Sequence, residues 1–176
     1  MTIDIRNPRN GIELMPAAPE QEPILANLLE LYAHDFSEFH DKAIGEDGRF
    51  GYNSLPLYWA KPHRYPFLVR AGGQLAGLAL VKKGSEVTGI QGVWDMAEFF
   101  VLRRYRRRGI GTQIAREVWV RFPGPWEVRV MQSNVSACRF WERAISGFVG
   151  KTIQPVTIDK SAERWNLFSF ESYPVA

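Results

Sequence analysis

The sequence predicts a mixed α/β fold in which a central sheet is flanked by helices. Three observations carry this. Segments of alternating and of helical hydrophobic spacing follow one another in the order strand, helix, several antiparallel strands, helix, strand, helix, strands. A Gly72-Gly73-Gln74 turn joins two apolar runs as a hairpin. An apolar strand at DMAEFFVL gives way to RRYRRR and then to GIGTQIAREVWVR, a strand, turn and helix in succession. With 176 residues, 45% hydrophobic and 23% charged, the chain suits one domain with a full core.

In chain order, a first strand is expected around Ile12 to Met15. The segment APEQEPILANLLELYAHDFSEF then places Ile24, Leu25, Leu28, Leu31, Tyr32 and Phe36 at helical spacing. The stretch HDKAIGEDGRFGYNSLPLYWAKPHRY holds glycines, prolines and five aromatics (Phe50, Tyr52, Tyr58, Trp59, Tyr65), and reads as a loop with a short helix. The hairpin strands run from Tyr65 to Ala71 and from Leu75 to Lys83, and a third strand from about Val93 to Leu102. A helix from Thr112 to Phe122 is stopped by Pro123-Gly124-Pro125. Trp126 to Met131 reads as a strand with Glu127 and Arg129 on its polar face. Ser133-Asn134 caps a helix to Ser146 that Gly147 should stop, and Ile153 and Trp165 to Phe170 close the chain as strands.

Composition excludes several classes. Net charge is +3, so the five arginines between Arg103 and Arg108 are a local cluster, which argues for a bound phosphate over a nucleic-acid surface. Cys138 is the single cysteine, which forbids an intrachain disulfide and fits a reducing, cytoplasmic setting. The opening MTIDIRNPRN lacks the apolar centre of a signal peptide, and no run suits a membrane span. His34 and His40 stand six apart and His63 lies beside a proline, so no metal site is expected.

The turn from Arg106 to Thr112 carries the chemistry. Backbone N–H groups at a helix N-terminus after a strand bind anions, glycines let a phosphate approach, and arginines add charge-assisted hydrogen bonds. The nucleoside-triphosphate loop needs a glycine and, after four spacer residues, Gly-Lys-Ser/Thr, and no such sequence exists here. The dinucleotide fingerprint needs a glycine where Ile114 stands. The pattern Arg/Gln-x-x-Gly-x-Gly/Ala is met by Arg106, Gly109 and Gly111.

Here EFFVLRRYRRRGIG resembles the motif of the GCN5-related N-acetyltransferases, the GNAT family. WEVRVMQSNVSACRFWERAISGF resembles the family's next motif, with Asn134, Ala137, Phe140 and Gly147-Phe148 in place. By element order the likeness covers about residues 60 to 150. The strand before the turn is similar to that of spermidine/spermine acetyltransferases, although Ala97 stands where those enzymes have a glutamate. The resemblance implies a mostly antiparallel sheet that splays between the strands near 93–102 and 126–131. It implies one acyltransferase domain over 1–176, with a CoA core at about 93–148 and a substrate-side helix and loop at about 19–64.

It also implies acetyl-CoA as co-substrate and no metal. Main-chain contacts to pantetheine would come from Phe99, Phe100 and Val101, with an N–H near Phe100 serving the thioester oxyanion. Arg106, Arg107, Arg108, Gly109, Ile110, Gly111 and Thr112 would hold the pyrophosphate, and Asn134, Ala137 and Trp141 would line CoA.

Glu98, a carboxylate inside an apolar strand, is the candidate base or amine contact, and Asp95 the alternative. Trp141 stands where many relatives have a tyrosine acid. Indole is no practical acid, Cys138 reads as a buried hydrophobe, and Tyr52, Tyr58 or solvent are left as proton donors. Asp35, Glu38, Asp41, Glu46 and Asp47 make the substrate side acidic, and Tyr52, Tyr58 and Trp59 make it aromatic, which suits a cationic small-molecule amine. The expectation is an N-acetyltransferase working by direct transfer in a ternary complex, without membrane or nucleic-acid partners and with a homodimer allowed. The alternative is a module that binds CoA, or nucleic acid through RRYRRR, without catalysis.

Overall fold

Among the described residues, seven strands form a mostly antiparallel open sheet in the order β1-β2-β3-β4-β5-β7-β6, with helices flanking it. The computed structural model describes residues 11–160 and 162–173. The opening decapeptide, expected to carry no signal segment, lies outside them. The strands are β1 (Ile12–Pro16), β2 (Arg64–Ala71), β3 (Gln74–Lys83), β4 (Trp94–Val101), β5 (Gly124–Met131), β6 (Val156–Lys160) and β7 (Glu163–Ser172). The helices are α1 (Glu22–Phe36), α2 (Leu57–Ala60), α3 (Ile110–Arg121) and α4 (Val135–Val149). The chain forms two compact units, one of residues 11–80 and 98–110 and the other of 81–97 and 111–173.

In the first unit β1 runs antiparallel to β2, with Leu14 opposite Val69, and α2 packs on β2. Gly72 and Gly73 take φ of 58° and 75°, the left-handed pair that a two-residue hairpin turn demands. On α1 the buried residues are Leu25, Leu28 and Leu29, whereas Leu31 is 52% exposed. Leu31 falls about 110° from the centre of that stripe, so helical spacing alone assigned it to the wrong face.

In the second unit β5 pairs antiparallel with β7 from Gly124↔Ser172 to Met131↔Trp165, and β7 pairs antiparallel with β6. The parallel contact between β4 and β5 includes Trp94↔Trp126 and Asp95↔Glu127. Helix α4 packs on β5 and β7. The core here is aromatic: Trp119 is fully buried, with ring centroids of Phe148 at 5.0 Å, Phe170 at 5.1 Å and Trp141 at 6.2 Å.

Two sequence expectations need correction in this unit. Helix α4 passes through Gly147 and ends at Gly150, which adopts the left-handed C-cap at φ 73°. The extra turn carries Phe148 onto Trp119. Ile153 precedes β6 in an irregular link, its N–H on Ser146 Oγ at 3.0 Å. The polar face of β5 is met by polar partners. Glu127 is buried and accepts from the hydroxyls of Ser85 and Thr88, and Arg129 is paired with Asp95.

Candidate active site

Strand β4 carries Glu98 half-buried near its C-terminal end, and Tyr52 donates its hydroxyl to Glu98 Oε1 at 3.0 Å. Burial, and next the negative charge of Glu98, push the Tyr52 phenol far above its ordinary 10.0. It therefore serves as a neutral donor throughout the pH range in which proteins fold. Tyr52 follows a loop that is tied down on both sides of Gly51. Glu30 accepts the N–H groups of Phe50 (2.7 Å) and Gly51 (2.9 Å), and Lys42 Nζ donates to Gly51 O at 2.8 Å.

Two residues further along β4, Phe100 is buried and its ring lies 5.8 Å from Tyr32. Its carbonyl presses on Gly77 of β3: a Cβ built there would stand 2.0 Å from Phe100 O. Leu102 N–H donates to Ala76 O at 2.8 Å, which holds the strands together just beyond that approach. A glycine inside LAGLALV is the sequence mark of such a close backbone approach, and sequence reading passed over it. Glu30 was also missed, since nothing local distinguishes it from other surface carboxylates on α1.

The arginine-rich turn then follows. Arg106 Nε donates to Val101 O at 2.7 Å, its guanidinium lies 5.6 Å from the Phe100 ring centre, and its Nη2 reaches Asp35 Oδ2 at 2.5 Å. Arg103 contacts Asp35 Oδ1 through Nε at 3.0 Å and Nη2 at 2.7 Å. Burial alone would raise Asp35, but the hydrogen bonds and charges of Arg103 and Arg106 outweigh it and hold the carboxyl below its ordinary 3.8.

Arg107 and Gly109 take φ of 59° and 78°. Arg107, Arg108 and Gly109 are exposed, and a Cβ at Gly109 would meet nothing within 4 Å. Ile110, buried, then starts α3, followed by Gly111 and exposed Thr112. The first N–H groups of a helix have no intrahelical acceptor. Open space over left-handed backbone, exposed guanidinium groups and these N–H groups together fit a diphosphate.

The remaining candidates have identifiable partners. Asn134 caps α4, its Oδ1 accepting Ala137 N–H at 3.0 Å. Cys138 Sγ faces Met131 O and receives Asn166 Nδ2, each at 3.4 Å, and burial raises its thiol. Trp141 is buried against Phe140 and Trp119. On the substrate side, Trp59 Nε1 donates to Ala17 O at 2.9 Å, Tyr58 is buried, and Glu38 is exposed. Phe99 is half-buried beside Glu98.

Asp95 lies in an ionic cluster. It is buried, both oxygens accept from Arg129 Nη1 (2.9 and 2.7 Å), and Lys82 Nζ is 3.7 Å away and also paired with Glu86. Burial raises Asp95 further than these cations lower it. Among the described residues, no group of three His, Cys, Asp or Glu could hold a metal ion, and no helix is long and apolar enough to cross a membrane.

The fold has many solved counterparts. An acetyltransferase from Thermus thermophilus is 16% identical, covering 92% of this chain and 97% of its own at a TM-score of 0.66. A spermidine N-acetyltransferase from Vibrio cholerae, solved with CoA and spermine, is 13% identical over 93% and 97% (TM-score 0.62). A GNAT family acetyltransferase from Elizabethkingia anophelis with acetyl-CoA bound is 11% identical over 93% and 99% (TM-score 0.59). At these identities the likeness is one of fold. No curated protein matches the chain. The model of the acetyltransferase (GNAT) family, however, matches residues 25–148, from α1 through the arginine turn to Phe148 on α4. That span is well over half of the chain and contains both motifs, and the chain belongs to the GNAT acetyltransferase family.

Proposed function

We propose that this protein is an acetyl-CoA-dependent N-acetyltransferase that moves an acetyl group directly to a primary amine of a small cationic metabolite. The observation that carries the reading is the Tyr52–Glu98 hydrogen bond, which sets an oriented carboxylate on the strand leading into the arginine turn. Acetyl-CoA supplies a thioester whose acetyl group passes to the amine nitrogen, with release of the CoA thiol. Arg107 to Thr112 hold the pyrophosphate through main-chain N–H groups, with Arg106 and Arg108 beside them. The main chain of Phe99 to Val101 aligns pantetheine, and an N–H near Phe100 polarises the carbonyl.

Glu98 takes the proton that the amine loses, directly or through a water. Its negative charge also draws a cationic substrate, and exposed Glu38 adds to that field. Asp95 does not compete for the base role, since Arg129 bonds to both of its oxygens. Tyr52 contributes as a hydrogen-bond donor to Glu98, and the aromatic rings of Tyr52 and Trp59 offer faces to a cation. The Vibrio cholerae fold-mate holds a polyamine, but the substrate class proposed here rests on these residues.

Thiol release from acetyl-CoA across diamines, polyamines, amino sugars and peptide N-termini tests this reading. Small cationic amines are expected to give the highest kcat/KM. Preference for peptide amino groups would overturn the substrate class. Absence of thiol release with every amine, alongside a melting temperature raised by acetyl-CoA, would overturn catalysis and leave a binding module.

A further inference from the structure

We propose that Glu30 is a positioning residue for the reaction: through the backbone at Phe50 and Gly51 it fixes the Tyr52 hydroxyl that orients Glu98. The inference rests on the reading of Glu98 as proton acceptor.

Between α1 and α2 the chain runs for 20 residues, from Ser37 to Pro56, without a regular helix or strand. A surface loop of that length does not by itself hold a hydroxyl within 3.0 Å of a carboxylate on a strand 46 residues away. Two charged side chains remove this freedom at one point. The Glu30 carboxylate spans two consecutive N–H groups, one on each oxygen, with Arg49 Nε 3.8 Å from Oε1. Lys42 takes the carbonyl of Gly51. The peptides on either side of Gly51 are thus held by ionised partners, the stronger kind of hydrogen bond. Gly51 itself adopts φ +70°, a left-handed conformation that favours glycine. Tyr52 is the next residue, so its hydroxyl inherits this anchoring.

The chemistry of the anchor is specific. A carboxylate offers an oxygen to each N–H, whereas an amide offers one oxygen and sets an NH2 against the other donor. Glu30→Gln therefore breaks half of the clamp while preserving volume. Because the Tyr52 hydroxyl favours the charged form of Glu98, loosening it raises the proton affinity of Glu98. The acidic limb of the pH profile then moves to higher pH.

The test is a double-mutant cycle of Glu30→Gln and Tyr52→Phe in the full-length protein, read as kcat/KM against pH with the preferred amine. Tyr52→Phe is expected to lower kcat/KM about tenfold and move the acidic limb upward. Glu30→Gln should lower it roughly three- to fivefold with a shift of the same sign. The double variant should be no worse than Tyr52→Phe within about twofold, since both act through one hydroxyl. Additive losses, or a Glu30→Gln profile with an unmoved acidic limb, would overturn the proposal. If Glu30→Gln does not fold, Lys42→Met takes its place in the same cycle with the same expected and contrary outcomes. Glu98→Gln separates the two levels. Intact turnover there overturns the base reading and this proposal together, while slow turnover with an additive cycle overturns this proposal alone.

Discussion

Strand β4 carries two carboxylates three residues apart, and their surroundings give them different chemistry. Asp95 is held by Arg129 on both oxygens with Lys82 close by, out of contact with solvent. Glu98 is half-buried and receives the hydroxyl of Tyr52, a donor whose own ionisation burial suppresses. A cation paired to a buried carboxylate ties backbone segments together, and separating the pair costs more than a mutation usually does. A neutral hydroxyl orients a carboxylate without neutralising it, so that carboxylate can still accept a proton. Partner identity separates the two roles, since residue type and strand are the same in kind.

The largest expected effect belongs to the structural carboxylate. Asp95→Asn removes the buried counter-charge of Arg129 and Lys82, leaving both to the more exposed Glu86, and should cost about 4 kcal/mol of stability, read by urea unfolding. Turnover per folded molecule should change little, and a large loss of kcat with unchanged stability would reverse the comparison. Gly77→Ala acts on the strand itself. Its Cβ cannot coexist with Phe100 O, so a loss of about 3 kcal/mol is expected, together with weaker acetyl-CoA binding by calorimetry. Stability within ~0.5 kcal/mol of wild type would show that β4 can yield there.

Glu98→Gln is the mirror of the first variant. It should lower kcat about 100-fold, or ~2.7 kcal/mol of barrier, with no loss of melting temperature. A destabilised but active variant would make Glu98 another structural carboxylate.

The smallest effect is at Asp35, whose partners are largely exposed to solvent. Asp35→Asn should cost about 0.5 kcal/mol and raise KM for acetyl-CoA severalfold by releasing Arg106. Because the folded-state value lies below 3.8, the stabilisation is full above that pH and is lost as pH falls through the lower folded value. Urea unfolding of wild type and variant should therefore differ by a constant amount from about pH 5 to 8 and converge in acid. A gap that widens in acid would remove Asp35 as the depressed group.

What sequence reading reached and what it missed divide along contact range. The hairpin was legible because Gly72 and Gly73 leave few alternatives to a left-handed turn. The strand, arginine turn and α3 were legible because strand, glycines and helix are consecutive in the chain. The Asn134 cap was legible for the same reason. Glu30 was not, because its partners Phe50 and Gly51 lie 20 and 21 positions away and any carboxylate on α1 would have looked the same. Asp35 was expected to face substrate, yet its oxygens accept from arginines 68 and 71 positions on. Glu127 and Arg129 were legible as a polar face, but alternation does not say that Ser85, Thr88 and Asp95 would cover it. Gly147 looked like a helix stop until Phe148, one residue later, found Trp119.

The left-handed backbone of Arg107 has a consequence for how this turn can be altered. A residue with a Cβ at φ 59° carries a conformational penalty of roughly 1–2 kcal/mol that glycine would escape. The chain thus tolerates a built-in cost at a position where a smaller residue would give a more stable protein. On the proposed reading, Arg107→Gly is accordingly a trade for a protein engineer, with thermal tolerance expected to rise and grip on a diphosphate to fall. Selection for heat resistance alone, with no demand on donor affinity, would be drawn to that codon.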